Sequence, residues 1–89
     1  MLNLYLVTFV GDNTQFLTNA ETEEQAIAYA NEANIHCGGI DDEDGCAYDL
    51  NNPKPEWYAV EYVDWDLLQA ILERDDYMFT TGRAVVYND

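Results

Sequence analysis

Residues 36–50, HCGGIDDEDGCAYDL, gather the groups best able to do chemistry in this chain: one His, two Cys and five acids. Three chemistries suit those residue types. The first is a calcium loop of the EF-hand kind, D-x-[DN]-x-[DN]-G-x5-E, whose sixth position is glycine. With Gly45 in that place, Asp42 and Asp44 fall at positions three and five. Ile40 then stands at position one and Asn51 at position twelve, so two principal ligands are missing. The second is zinc, with His36, Cys37, Cys46 and Asp49 as donors. Structural zinc sites show two close ligand pairs, whereas here one adjacent His-Cys is followed by a distant Cys. The third is nucleophilic catalysis by Cys37 with His36 as base. Neighbours in an extended loop point to opposite sides, which argues against their hydrogen bonding to each other.

No Gly-rich phosphate loop, G-x-S-x-G or H-E-x-x-H occurs in the chain. The expectation is therefore a non-enzymatic protein that folds without metal or cofactor. Small thiols packed under a loop are the simpler reading of Cys37 and Cys46.

What remains is charge. Eighteen Asp and Glu face only Lys54, Arg74 and Arg83, for a formal net charge of -15. A small domain is soluble at a net charge of magnitude roughly 2 to 8, and an excess beyond that opposes the folded state by self-repulsion. Solubility alone does not account for it. Three cations cannot supply the phosphate neutralisation that drives nucleic-acid binding, and the field repels anionic membranes. It favours a basic protein surface and speeds the encounter with one.

The acids must be positioned by a fold, and the chain has the means for one. Hydrophobic residues make up 48% of it and include seven Tyr, three Phe and two Trp. A disordered acidic tail is poor in such residues. Eighty-nine residues hold one core, so residues 1–89 are expected to be a single domain. LNLYLVTFV (2–10) is apolar on both alternating faces, as in a strand covered on both sides. Gly11-Asp12-Asn13 is a turn signal, and TQFLT (14–18) reads as the returning strand.

Thr22 with Gln25 fits a capping box opening a helix to about Asn34, with Ala26, Ile27, Ala30 and Ala33 inward. Residues 35–56 read as a long loop. WYAVEYVD (57–64) has strong β propensity, with Tyr58, Val60 and Tyr62 on one face and Glu61 on the other. Asp64 caps a second helix, DWDLLQAILER, in which Trp65, Leu68 and Leu72 share the inward side with Leu67 and Ile71 nearby, and Asp66, Gln69 and Glu73 form the opposite stripe. A short strand YMFT, a turn at Thr81-Gly82 and a strand RAVVY complete the order β-β-α-β-α-β-β. That order predicts an α+β domain with an antiparallel or mixed sheet of four to five strands and two helices. The apolar opening run lacks a basic n-region and a small-residue cleavage site, so the expected place is the cytoplasm, with reduced thiols; in an oxidising compartment Cys37 and Cys46 could close a short loop instead.

In size, charge and an aromatic core beneath surface acids, the chain resembles the small phage-encoded inhibitors that imitate DNA, the anti-CRISPR and anti-restriction proteins. YLVTFVGDNTQFLTNAETEEQAIAYANEA (5–33) also looks like the strand-hairpin-helix opening of small phage proteins. The resemblance implies a protein that blocks a basic nucleic-acid-binding groove of a host defence nuclease or CRISPR effector in the host cytoplasm. It carries over no functional residue. Charge clustering alone nominates the partner-binding set: Asp41, Asp42, Glu43, Asp44, Tyr48, Asp49, Asp66, Glu73, Asp75 and Asp76. Two other readings stay open: an acidic interaction or virion-associated module that does not compete with nucleic acid, and a salt-adapted domain whose acidity has no partner.

Overall fold

The computed structural model describes residues 2–11, 13–36, 55–80 and 83–87. Five strands, β1 (Asn3–Phe9), β2 (Gln15–Ala20), β3 (Tyr58–Tyr62), β4 (Tyr77–Thr80) and β5 (Ala84–Tyr87), form one sheet in the order β3-β1-β2-β5-β4. Each neighbouring pair is antiparallel. Two helices, α1 (Glu23–His36) and α2 (Trp65–Leu72), complete an α+β domain, and a short 3-10 turn at Pro55–Trp57 leads into β3.

β1 and β2 form the expected hairpin. The Phe9 amide donates to the Thr14 carbonyl at 2.9 Å, and the Asn13 amide donates to the Phe9 carbonyl at 2.8 Å. Asn13 sits at φ 63, a left-handed conformation that Asn tolerates better than most residues. The register then sorts side chains into two rows, one residue out of phase. Val7, Phe16 and Val86 lie opposite one another across β1, β2 and β5, and Leu6, Leu17 and Val85 form the next row. Successive strand residues point to opposite faces, so the first row meets one helix and the second row the other.

The first row is sealed. Val7, Phe16 and Val86 are fully buried together with Ala26, Ala30 and Ala33 of α1. Alanines on the inner side let that helix lie close to the sheet. Its start is held as the sequence predicts: the Gln25 amide donates to Thr22 Oγ1 at 3.1 Å. The Gln25 side chain reaches back to the Glu21 amide at 3.0 Å, one residue earlier than the simplest capping box.

In the second row Leu6 and Leu17 are buried and Val85 is half-buried. α2 turns Ile71 fully inward, with Leu67 and Leu68 half-buried against Leu6, Leu17, Val63 and Tyr87. Its cap is formed as expected, the Leu67 amide donating to Asp64 Oδ1 at 2.8 Å. The expected inner stripe is corrected in one respect: Trp65 is 69% and Leu72 66% exposed. Turning about 100° per residue, both fall roughly a quarter-turn away from the 67/68/71 stripe. An eight-residue helix has one narrow stripe to bury, and the cap sets which one. No helix among the described residues is long and apolar enough to cross a membrane.

Candidate functional site

Of the predicted contact residues, Asp41, Asp42, Glu43, Asp44, Tyr48 and Asp49 lie outside the described residues, as do Cys37 and Cys46 of the metal and nucleophile readings. The other four belong to α2 and the segment after it. Asp66 and Glu73 are exposed, and so is Asp75. Asp76 is engaged within the protein. Arg74 Nε donates to Asp76 Oδ1 at 2.8 Å, and the outer guanidinium nitrogens reach Asp76 Oδ2 and Gln15 Oε1. The same guanidinium lies 4.9 Å from the Tyr87 ring centroid. These hydrogen bonds hold the Asp76 carboxyl below its ordinary pKa, while burial raises that of the Tyr87 hydroxyl. Arg74 and Asp76 thus pin the chain after α2 to β2 and β5. That leaves Asp66, Glu73 and Asp75 as the outward charges of this region.

The described acids as a set face outward. Glu21, Glu23, Glu24, Glu56, Glu61, Asp64, Asp66, Glu73 and Asp75 are exposed, and Glu32 and Asp76 are half-exposed. Among the described residues, Arg74–Asp76 is the one ion pair. Arg83, a second cation, stacks with its guanidinium carbon 4.9 Å from the Tyr29 ring centroid. The negative field is therefore left largely uncompensated on the described surface.

The outer side of α2 adds what charge alone lacks. Trp65 and Leu72 are seven residues apart and share one stripe; Asp66 and Glu73, also seven apart, form a parallel stripe about 100° around the helix. Exposed Gln69 lies between them. An exposed Trp is more informative than an exposed acid, because large aromatic side chains are enriched at the centres of interfaces. The sequence reading placed Trp65 inward and so missed it. No local signal marked it, since DWDLLQAILER reads as helix to Arg74 whereas the helix formed is the eight residues Trp65–Leu72, too short for a broad inner face.

Beneath α1 the sequence reading also missed a buried polar group. Asn31 and Asn34 are fully buried. The Tyr58 hydroxyl donates to Asn31 Oδ1 at 2.7 Å and accepts from Asn34 Nδ2 at 3.2 Å. Asn31 Nδ2 has no hydrogen-bond partner among the described residues. The three side chains tie α1 to the first residue of β3, next to Phe9, whose ring centroid is 5.6 Å from that of Tyr58. On the opposite face an open cavity of about 370 Å³ lies beside Leu4, Leu17, Asn19, Thr80, Arg83 and Val85.

No protein-family model, curated protein or solved structure matches this chain.

Proposed function

We propose that this protein is a non-enzymatic inhibitor that occupies a basic nucleic-acid-binding surface of a host defence nuclease or its complex, presenting carboxylates in place of phosphates. The outer side of α2 supports this reading most. Asp66 and Glu73 are seven residues apart, about 10.5 Å along the helix axis at 1.5 Å per residue. Three phosphate steps of a DNA strand at about 3.4 Å each cover nearly the same length. Trp65 and Leu72 run beside them and supply apolar area, which turns charge-driven encounter into a held complex. The acids at 41–44 and Asp49 extend the same negative character to a second part of the chain.

The test is retention and displacement. The protein is immobilised and exposed to a bacterial lysate, and whatever it retains is challenged with duplex DNA or single-stranded RNA at fixed ionic strength. The expected result is a basic nucleic-acid-binding protein released by nucleic acid, whose nuclease activity falls when this protein is added. A triple variant, Trp65→Ser with Asp66→Asn and Glu73→Gln, should keep its thermal midpoint and lose retention. A ternary complex of partner, nucleic acid and this protein would overturn the mimicry and favour an interaction module that does not compete.

A further inference from the structure

The two edges of the sheet differ. β4 has four residues, and its register against β5 shifts between Tyr77 and Phe79. Such irregularity blunts an edge against pairing. β3, the other edge, pairs with β1 in unbroken register from Tyr58 to Tyr62. Its sequence YAVEY contains neither Lys nor Pro, the residues that commonly guard edges.

The direction of its backbone follows from the flanking hydrogen bonds. The Val10 amide donates to the Trp57 carbonyl, and the Val63 amide donates to the Leu4 carbonyl, both at 2.9 Å. Residues of one parity along this segment therefore face β1, and Val60 and Tyr62 turn their N–H and C=O groups away from it. Among the described residues no strand pairs with that side. The side chains around it are accessible: Ala59 and Glu61 are exposed on the α2 face, and Tyr62 is 61% exposed on the α1 face.

We infer that the outer edge of β3 accepts an extended segment of a partner protein as a sixth strand, and that this segment alternates basic and apolar side chains. Backbone hydrogen bonds to Val60 and Tyr62 would hold it, as in other cases of strand addition. On one face its Lys or Arg side chains would lie beside Glu61, with Glu56, Asp64 and Asp66 nearby in sequence. On the other face its apolar side chains would lie beside Val60 and Tyr62. Glu61 also selects against a second copy of the chain, which would bring carboxylate against carboxylate on a protein of net charge -15. This contact goes beyond the α2 surface and shares with it only the expectation of a basic protein partner.

The experiment separates backbone pairing from charge. A synthetic peptide of alternating Lys and Val is titrated into the protein and followed by amide NMR shifts. A second peptide of the same sequence is N-methylated at every other residue, so that its charge is unchanged and its pairing edge is blocked. The expected result is shifts centred on residues 58–62 and affinity about tenfold weaker for the N-methylated peptide, the scale of one lost net hydrogen bond. Val60→Pro removes an N–H that faces away from β1, so the fold should survive and binding of the unmodified peptide should fall comparably. Equal affinity of the two peptides would overturn the edge assignment and leave the charge reading standing. A concentration-dependent dimer abolished by Val60→Pro would overturn it in favour of self-pairing. Failure of both peptides to bind would also overturn it, while nucleic-acid displacement decides the mimicry reading on its own.

Discussion

The two faces of one sheet are finished differently. On the α1 face a fourteen-residue helix lays small side chains over Val7, Phe16 and Val86, all fully buried. On the α2 face an eight-residue helix inserts Ile71 and leaves Leu72 and Trp65 in solvent. The strands serve both faces equally, since adjacent residues in each alternate between them. The difference is in the covering helices. Both faces hold a buried cluster, but only the α2 face leaves large apolar side chains of its covering helix beside exposed acids.

The largest expected contrast is a pair of truncations. Phe16→Ala should cost about 3 to 5 kcal/mol, since it empties a position with no route for relaxation. Leu72→Ala should stay within about 0.5 kcal/mol, as for other exposed sites. Urea unfolding of both variants checks this, and equal losses would erase the distinction between the faces.

Next in size is the polar tie beneath α1. Tyr58→Phe removes the hydroxyl that both accepts from Asn34 and donates to Asn31, leaving two buried amides short of a partner. The expected loss is about 1 to 3 kcal/mol. A neutral result would mean that the asparagines find other partners and that the sealed face is less fixed than its burial implies.

The cap of α2 comes third. Asp64→Ala should cost about 1 kcal/mol, measured by thermal unfolding, with hydrogen exchange speeding up in residues 65–72 before the rest of the sheet. Uniform acceleration would show that α2 is as firmly integrated as α1.

The smallest effect sharpens the comparison from the other side. Trp65→Ser should leave stability unchanged within about 0.5 kcal/mol, while the emission loses its solvated component and shifts to shorter wavelength, toward that of half-buried Trp57. A large destabilisation would mean that Trp65 is part of the core after all.

The element order was legible in the sequence because each local signal was unambiguous. Alternation in 2–10, the Thr22/Gln25 cap and the Asp64 cap are all short-range features, and all reappear in the fold. The row Val7–Phe16–Val86 was not legible, since nothing local says that β5 lies beside β2. Asn31 and Asn34 were passed over because polar residues on a helix read as outward, and their partner Tyr58 is 27 and 24 residues away, respectively. Trp65 was misplaced because hydrophobicity was taken as a sign of burial, a rule that runs only one way. Of the candidate contact residues, Asp66 and Glu73 were nominated by charge clustering, and the fold places both in solvent. Asp76 was nominated by its charge, and only the fold shows Arg74 engaging it.

The strand order also bears on how the domain is made. β5 sits inside the sheet between β2 and β4, although it is the last of the described strands in sequence. While residues 84–87 are still within the ribosome, β2 has an unpaired side and Phe16 and Leu17 lack the cover of Val86 and Val85. An emerging chain can close the β1–β2 hairpin early, but its core stays open until synthesis has passed residue 87. A chain cut short at residue 80 would expose a bare sheet edge in the middle of its apolar core, the kind of surface that chaperones retain and proteases remove.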